Sequence, residues 1–309
     1  MSDYLVALLV GVVEGLTEFL PVSSTAHIIL TQALLGMRLD NPFWKMFTVV
    51  IQLGAILSVV VYFRERLLAF VQSFLASFSG SRMPVSEHQS EHQSEHQSEH
   101  QSEHLSGSDP AVSKPWWQHP LALVLISFVV TAIPCYLMDE LIGENLERPW
   151  VIGASMLLGG IAMLWIDKVY SPIAKTQSVE RMTMGQAIFI GAAQILAATF
   201  PGTSRSMATI AAGQIMGLSR PAALEFSFFL SIPVMLAASG FKLLQFILKN
   251  PIEMGASEWL TLGIGFTTSF VVALAVIAWF MNWVKSQGFA PFAIYRMVVG
   301  VAVILWLGS

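Results

Sequence analysis

Two carboxylates, Glu14 and Glu18, lie four residues apart in an otherwise apolar stretch, GVVEGLTEFL. On a helix that spacing puts both on one face. Two close anions in a low-dielectric setting cannot both stay ionised unaided, so the pair needs a bound cation or a shared proton. A carboxylate pair that only packs against a neighbouring helix is the plainer alternative. After Pro21 come Ser23, Ser24 and Thr25, then Ala26 and His27. Such hydroxyls suit a helix N-cap, where free N–H groups and the helix dipole attract anions. His27 has the chemistry of a general acid, base or nucleophile near neutral pH, against the plainer reading of a histidine held by a hydrogen bond.

A second cluster reads Pro201-Gly202-Thr203-Ser204-Arg205-Ser206, with Thr209 one turn on. It repeats the hydroxyl-rich cap and adds a guanidinium, whose planar fork matches phosphate oxygens. An arginine in apolar surroundings needs a fixed anionic partner or an anionic ligand. Pairing with Glu14 or Glu18 is the plain alternative. If the two clusters face each other, metal ligands, acid–base chemistry and anion binding are combined in one place.

The elements that must bring them together are membrane-spanning helices. Of 309 residues 55% are hydrophobic and 12% charged, half the roughly 25% charged residues of a soluble domain. Several apolar runs approach the roughly 20 residues that a spanning helix needs, so a soluble body with a single anchor is excluded. The formal charge of -4 includes five acids in one low-complexity run, and without them 15 acids face 16 bases. That balance makes no case for nucleic-acid binding. The first twenty residues hold no Lys or Arg, so the N-terminal apolar segment is expected to be retained rather than cleaved. The single cysteine, Cys135, rules out an internal disulfide and a multi-cysteine zinc site.

Six segments read as spans: Phe43 to Phe63, Leu121 to Ile142, Trp150 to Trp165, Pro221 to Ile247, Trp259 to Trp283 and Pro291 to Leu307. Tryptophans cluster near their ends, as expected at the headgroup level. The stretch Gly153 to Gly160, GASMLLGG, lets helix backbones approach closely. Two further segments, Tyr4 to Gly36 and Met184 to Leu218, are each broken midway by proline and hydroxyl residues. Broken backbone at membrane depth is tolerated where it is buried or lines a watery cavity. Both are therefore read as re-entrant helix-loop-helix hairpins, residues 4–36 and 184–218. The loop at 80–118 carries the EHQS repeat, read as a solvated tether in preference to a metal-binding helix face.

An offset of 180 positions places Gly191 opposite Gly11, Gln194 opposite Glu14, Pro201 opposite Pro21 and Ser204 opposite Ser24. Each half is thus a hairpin followed by three spans, residues 1–166 and 167–309. Three crossings between the hairpins make the architecture an all-α inverted-topology repeat by parity. Arg64, Arg66, Arg82, Lys114, Lys168, Lys175, Arg181, Arg220 and Lys285 fall on one face, against Arg38, Lys45, Arg148 and Lys249 on the other. The richer face is read as cytoplasmic, which puts both termini and the mouth of the first hairpin outside.

The residues resemble a known family, the bacterial undecaprenyl-diphosphate phosphatases, also called bacitracin-resistance proteins. The resemblance covers nearly the whole chain apart from the EHQS run. A Glu or Gln followed four positions on by Glu is present as Glu14 and Glu18, PGxSRSxxT is complete from Pro201 to Thr209, and the histidine after the Ser-Ser-Thr turn is His27. Ala26 and Met207 depart from the family pattern, which often has glycine there. The resemblance implies hydrolysis of undecaprenyl diphosphate to undecaprenyl phosphate and inorganic phosphate in the bacterial plasma membrane, with the site open to the periplasmic face. It implies a divalent cation, Mg²⁺ or Ca²⁺, positioned by Glu14 and Glu18. Arg205, Ser204 and the tips around Ser23, Thr25, Thr203, Ser206 and Thr209 then hold phosphate. His27 acts in proton transfer, and Ser24 is the attacking hydroxyl or a phosphate ligand. Membrane lipids surround the chain, and a homo-oligomer is compatible with the sequence. The rival class is a transporter or flippase of a phosphorylated lipid, since inverted repeats with broken helices also build transporters.

Overall fold

The computed structural model describes residues 2–36, 41–79, 115–138, 149–249 and 254–307, and within them regular structure is helical, with one isolated bridge between Thr176 and Leu218. A helix satisfies its backbone N–H and C=O groups internally, the condition an apolar chain in lipid must meet. The first short pair is α1 (Asp3–Thr17) and α2 (Ser24–Leu34), followed by α3 (Pro42–Tyr62), α4 (Arg64–Ser79), α5 (Pro120–Leu137) and α6 (Pro149–Tyr170). The second short pair is α7 (Met184–Thr199) and α8 (Arg205–Ile215), followed by α9 (Arg220–Lys249), α10 (Ala256–Ser286) and α11 (Ala290–Leu307). Local chemistry sets the starts. Asn41 caps α3 ahead of Pro42, His119 caps α5 ahead of Pro120, and Thr183 with Gln186 forms a capping box at α7.

Helices α3, α5, α6, α9 and α10 are long and apolar enough to cross a bilayer, which makes the chain a polytopic membrane protein. They coincide with five of the six expected spans. The sixth falls on α11, whose described apolar stretch, Ala290–Leu305, is shorter than these five. It also carries a fully buried charge, Arg296. The far end of the expected Leu121-to-Ile142 span lies outside the described residues, as does the EHQS run. Helix α4 had no counterpart among the expected spans. Its charges and its mixture of exposed Leu68 and Leu75 with polar residues give it no apolar run of spanning length.

The two short pairs are built alike. Helices α1 and α7 have 15 and 16 residues, too few to cross alone, and α2 and α8 have 11 each. Each first arm docks on a helix from the other half of the chain. Gly11 of α1 lies against α10, where an added Cβ would sit 2.8 Å from the Gly265 carbonyl oxygen. Gly191 of α7 lies against α5, where it would sit 2.5 Å from the Ser127 carbonyl oxygen. Across that second contact Ser127 Oγ donates to the Ala187 carbonyl at 2.6 Å and Thr131 Oγ1 to the Gly191 carbonyl at 2.7 Å. Small residues and short polar bonds are what hold helices together in lipid. The expected close approach along Gly153 to Gly160 is made with α11, where Gly153 meets Gly300.

At one end of this frame, Asp167 accepts four hydrogen bonds from three residues. It accepts from Arg220 Nε at 2.7 Å and Nη2 at 2.9 Å, from Gln214 Nε2 at 2.7 Å, and from the Phe289 amide at 3.3 Å. One carboxylate thus joins the ends of α6 and α8 to the starts of α9 and α11.

Candidate active site where the two hairpin tips meet

The turn between α1 and α2 and the turn between α7 and α8 come into direct contact, with Ser206 Oγ donating to the Leu20 carbonyl at 2.8 Å. Both second arms open on a serine with positive φ, Ser23 at 73° and Ser204 at 72°. A non-glycine residue in that region costs on the order of 1–3 kcal/mol and is held only where its surroundings over-determine it. The equivalence corrects the sequence alignment: the counterpart of Ser204 is Ser23, not Ser24. The second tip holds one residue more between its proline and its cap. The first helical residues, Ser24 and Arg205, are therefore the true counterparts.

Glu18 receives both. Ser24 Oγ donates to Glu18 Oε2, and Arg205 Nη2 approaches Glu18 Oε1 at 3.4 Å. The plain alternative for Arg205, an ion pair with an acid of the first hairpin, is thus present. It occupies little of the guanidinium. Nη1 donates to the Ser227 carbonyl at 3.2 Å, Nε has no partner, and the group lies 5.8 Å from the centre of the Phe19 ring. A fork engaged at two long contacts keeps donors for an incoming anion.

Glu14 is buried on α1, one turn before Glu18 at that helix's C-cap, and its Oε1 has no hydrogen-bond partner. An orphaned carboxylate oxygen beside a second carboxylate fits a hard divalent cation. Among the described residues there is no cluster of three or more His, Cys, Asp or Glu, so a cation held here would need further oxygen ligands besides these two carboxylates.

Two cavities adjoin this cluster. The inner one, about 140 Å³, is lined by Glu18, Ser23, Ser24, Thr25, Ser204 and Arg205 among others. The outer one, about 680 Å³, reaches Glu14, Ser24 and Thr25. Ser24, Thr25 and Gln52 line both. Ser204 also caps α8 by accepting from the Met207 amide at 3.3 Å, whereas the Ser23 side chain makes no such bond.

Four of the expected residues do not line either cavity. Thr209 Oγ1 bonds Ser227 Oγ at 2.7 Å and the Arg205 carbonyl at 3.0 Å, so it supports the arginine from behind. Ser206 ties the tips together. Thr203 offers its carbonyl to another arginine, described below. His27 turns toward α11: Nδ1 donates to the Ser23 carbonyl at 2.7 Å, which leaves Nε2 to accept from the Tyr295 hydroxyl at 2.8 Å.

The sequence matches a family described as bacitracin resistance protein BacA over residues 7–302. It is 46% identical to an undecaprenyl-diphosphatase of Koribacter versatilis, across 99% of each chain. Proteins of the same name from Novosphingobium aromaticivorans and Caldanaerobacter subterraneus are 38% and 35% identical, covering 99% and 98% of this chain and 99% and 96% of theirs. The chain belongs to the bacitracin resistance protein family.

Within that family frame, the residue that sequence reasoning missed is Arg296. It is fully buried on α11 and bonds only to carbonyls. Nη1 donates to Pro21 at 3.1 Å, Nη2 to Gly202 and Thr203 at 2.9 Å each, and Nε to Met156 at 3.0 Å. One guanidinium thus fastens the tip of each hairpin to α6. The available signal was a lone charge inside an apolar run. Gln52 was missed likewise; it accepts from Ser239 Oγ at 2.8 Å and joins α3 to α9 beside both cavities.

Proposed function

We propose that the protein hydrolyses undecaprenyl diphosphate to undecaprenyl phosphate and inorganic phosphate, recycling the cell-wall lipid carrier and thereby conferring bacitracin resistance. The observation that carries the chemistry is the convergence of Ser24 and Arg205 on Glu18, beside an inner cavity. The relatives bear a hydrolase's name, which disfavours the transport alternative.

In this reading the terminal phosphate sits in the inner cavity against Arg205, Ser204 and the amides at the start of α2. Their first-turn N–H groups lack a side-chain cap and favour an anion. Ser24 Oγ is the attacking atom, and Glu18, its hydrogen-bond acceptor, takes the proton. The bond from the terminal phosphorus to the bridging oxygen breaks, and undecaprenyl phosphate leaves. Water then releases the phosphoryl group from Ser24 as inorganic phosphate. Glu14 with Glu18 would hold a divalent cation, Mg²⁺ or Ca²⁺, which when bound offsets phosphate charge. His27 stands one turn along α2 from Ser24, and a proton-transfer role requires its ring to leave Tyr295.

The fold and orientation belong to the same proposal: two inverted repeats, residues 1–166 and 167–309, each a re-entrant hairpin plus three spans. Both termini and the site open to the periplasmic side of the plasma membrane. The exchanged docking of α1 on α10 and of α7 on α5 supports the repeat. So does the shared positive φ of the two caps.

Purified protein in neutral detergent is expected to release phosphate from the lipid diphosphate only with a divalent cation, and Glu14→Gln to raise the cation concentration required. Binding of intact lipid diphosphate without phosphate release would overturn the reading. With Cys135 replaced, Ala256→Cys should react with an impermeant thiol reagent on intact spheroplasts, and Lys175→Cys only after lysis. The opposite pattern would reverse the orientation.

A further inference from the structure

The outer cavity has a feature that the reaction described above does not use. Two lysines stand at its rim: Lys45 in the first turn of α3 and Lys242 in the last two turns of α9. Both are exposed, and neither has an ion-pair partner among the described residues. Helix stability does not account for them. A cation in a first turn faces the positive end of the helix dipole. Lys242 lies in an apolar run with Phe241, Leu243, Leu244 and Phe246, broken otherwise only by Gln245.

The cavity beneath them is graded. Its wall carries an apolar strip, Ile29, Trp44, Val49, Leu243 and Phe246, beside the polar Gln32 and Thr48. Its floor holds the unpartnered Glu14 carboxylate, and the shared lining of Ser24, Thr25 and Gln52 leads to the inner cavity. A cationic rim above an apolar strip fits an amphiphile with an anionic head better than a wholly polar solute.

We propose that Lys45 and Lys242 form a capture site for the phosphate-bearing head group on its way to the inner cavity, with the apolar strip receiving the first part of the isoprenoid chain. The proposal rests on the phosphatase reading and adds a binding position to it. Charges at a cavity mouth focus the field on an approaching anion and raise its rate of entry. They do not touch the reacting atoms. Their removal therefore lowers kcat/KM and leaves kcat in place.

The same attraction acts on a phosphate carried by a lipid and on free phosphate, so the test has an arm for each. Purified wild type and the double variant Lys45→Gln/Lys242→Gln are compared in neutral detergent at low and high ionic strength, with undecaprenyl diphosphate as substrate and inorganic phosphate as inhibitor. For the variant we expect a loss of about tenfold in kcat/KM at low salt. Its kcat should stay within about twofold, and its dependence on salt should flatten because there is less charge left to screen. Lys45→Arg/Lys242→Arg should restore both kcat/KM and salt dependence. If phosphate inhibition weakens in parallel, the rim binds phosphate itself; if it does not, the rim binds the head group of the lipid. Either result supports capture. Unchanged kcat/KM, or a fall in kcat at constant KM, overturns it. Absence of phosphate release by the wild type would instead overturn the phosphatase reading.

Discussion

The helices that open from the two tips, α2 and α8, have equal length and the same positive-φ serine at their start, yet they are buried very differently. In α8 every residue from Ser206 to Gln214 is buried. In α2 only Ala26, Ile28 and Gln32 are. The contrast extends to the first arms, where Glu14 of α1 and Glu18 at its C-cap are matched in α7 by Gln194 and Ala198. One hairpin is therefore left open to the cavities and carries two carboxylates beside them. The other is packed into support and contributes a single charged side chain, Arg205. In the proposed reading the first hairpin is a working face and the second a bearing face, and Glu18 bonds to both.

If that division is right, Arg205 is the point in α8 where substitution acts on chemistry more than on folding. Arg205→Ala is expected to lose about a hundredfold or more in kcat/KM, the scale of deleting one preorganised donor. Arg205→Lys, which keeps charge but not the fork, should lose at least about tenfold, or about 1.4 kcal/mol. Steady-state phosphate release on protein of matched thermal stability checks both, and near-normal turnover of Arg205→Lys would break the comparison by making α8 purely structural. A smaller effect of another kind is expected at Arg296, which serves the two tips alike. Arg296→Lys leaves several buried carbonyls without donors. It should lower stability by about 2 kcal/mol or more, seen as a lowered thermal midpoint, with the remaining activity falling because the tips lose alignment. A variant that kept the wild-type midpoint would show that tip contacts such as Ser206 to Leu20 suffice alone.

The parts legible in the sequence were those written in local chemistry. Pro21 and Pro201, followed by hydroxyl residues inside apolar runs, marked the breaks. The i,i+4 spacing of Glu14 and Glu18 marked the acidic face, and PGTSRS marked the second tip. What was not legible depended on partners that carry no signature. Arg296 bonds to backbone carbonyls of Pro21, Gly202 and Thr203, and any residue type supplies a carbonyl. His27 is held by Tyr295, 268 positions away. The alignment of Ser24 with Ser204 slipped by one because the extra residue in the second tip shows only in backbone dihedrals. Helix α4 escaped notice because its moderate polarity resembles neither a span nor a loop.

The exchange of docking partners between the halves also bears on how the chain is made. Helix α1 precedes α4, α5 and α7 in the chain, but the surface that receives Gly11 and Gly15 belongs to α10, which begins at Ala256. At about 5–20 residues per second, the roughly 240 residues between them take on the order of ten to fifty seconds to synthesise. For that interval α1, with its two carboxylates, has no permanent seat. Its companion α7 has no such wait, since α5 is already in place when it emerges. The seat of the first hairpin's arm is thus made long after the arm and that of the second before it, while Arg296 on α11, made later still, fastens both tips.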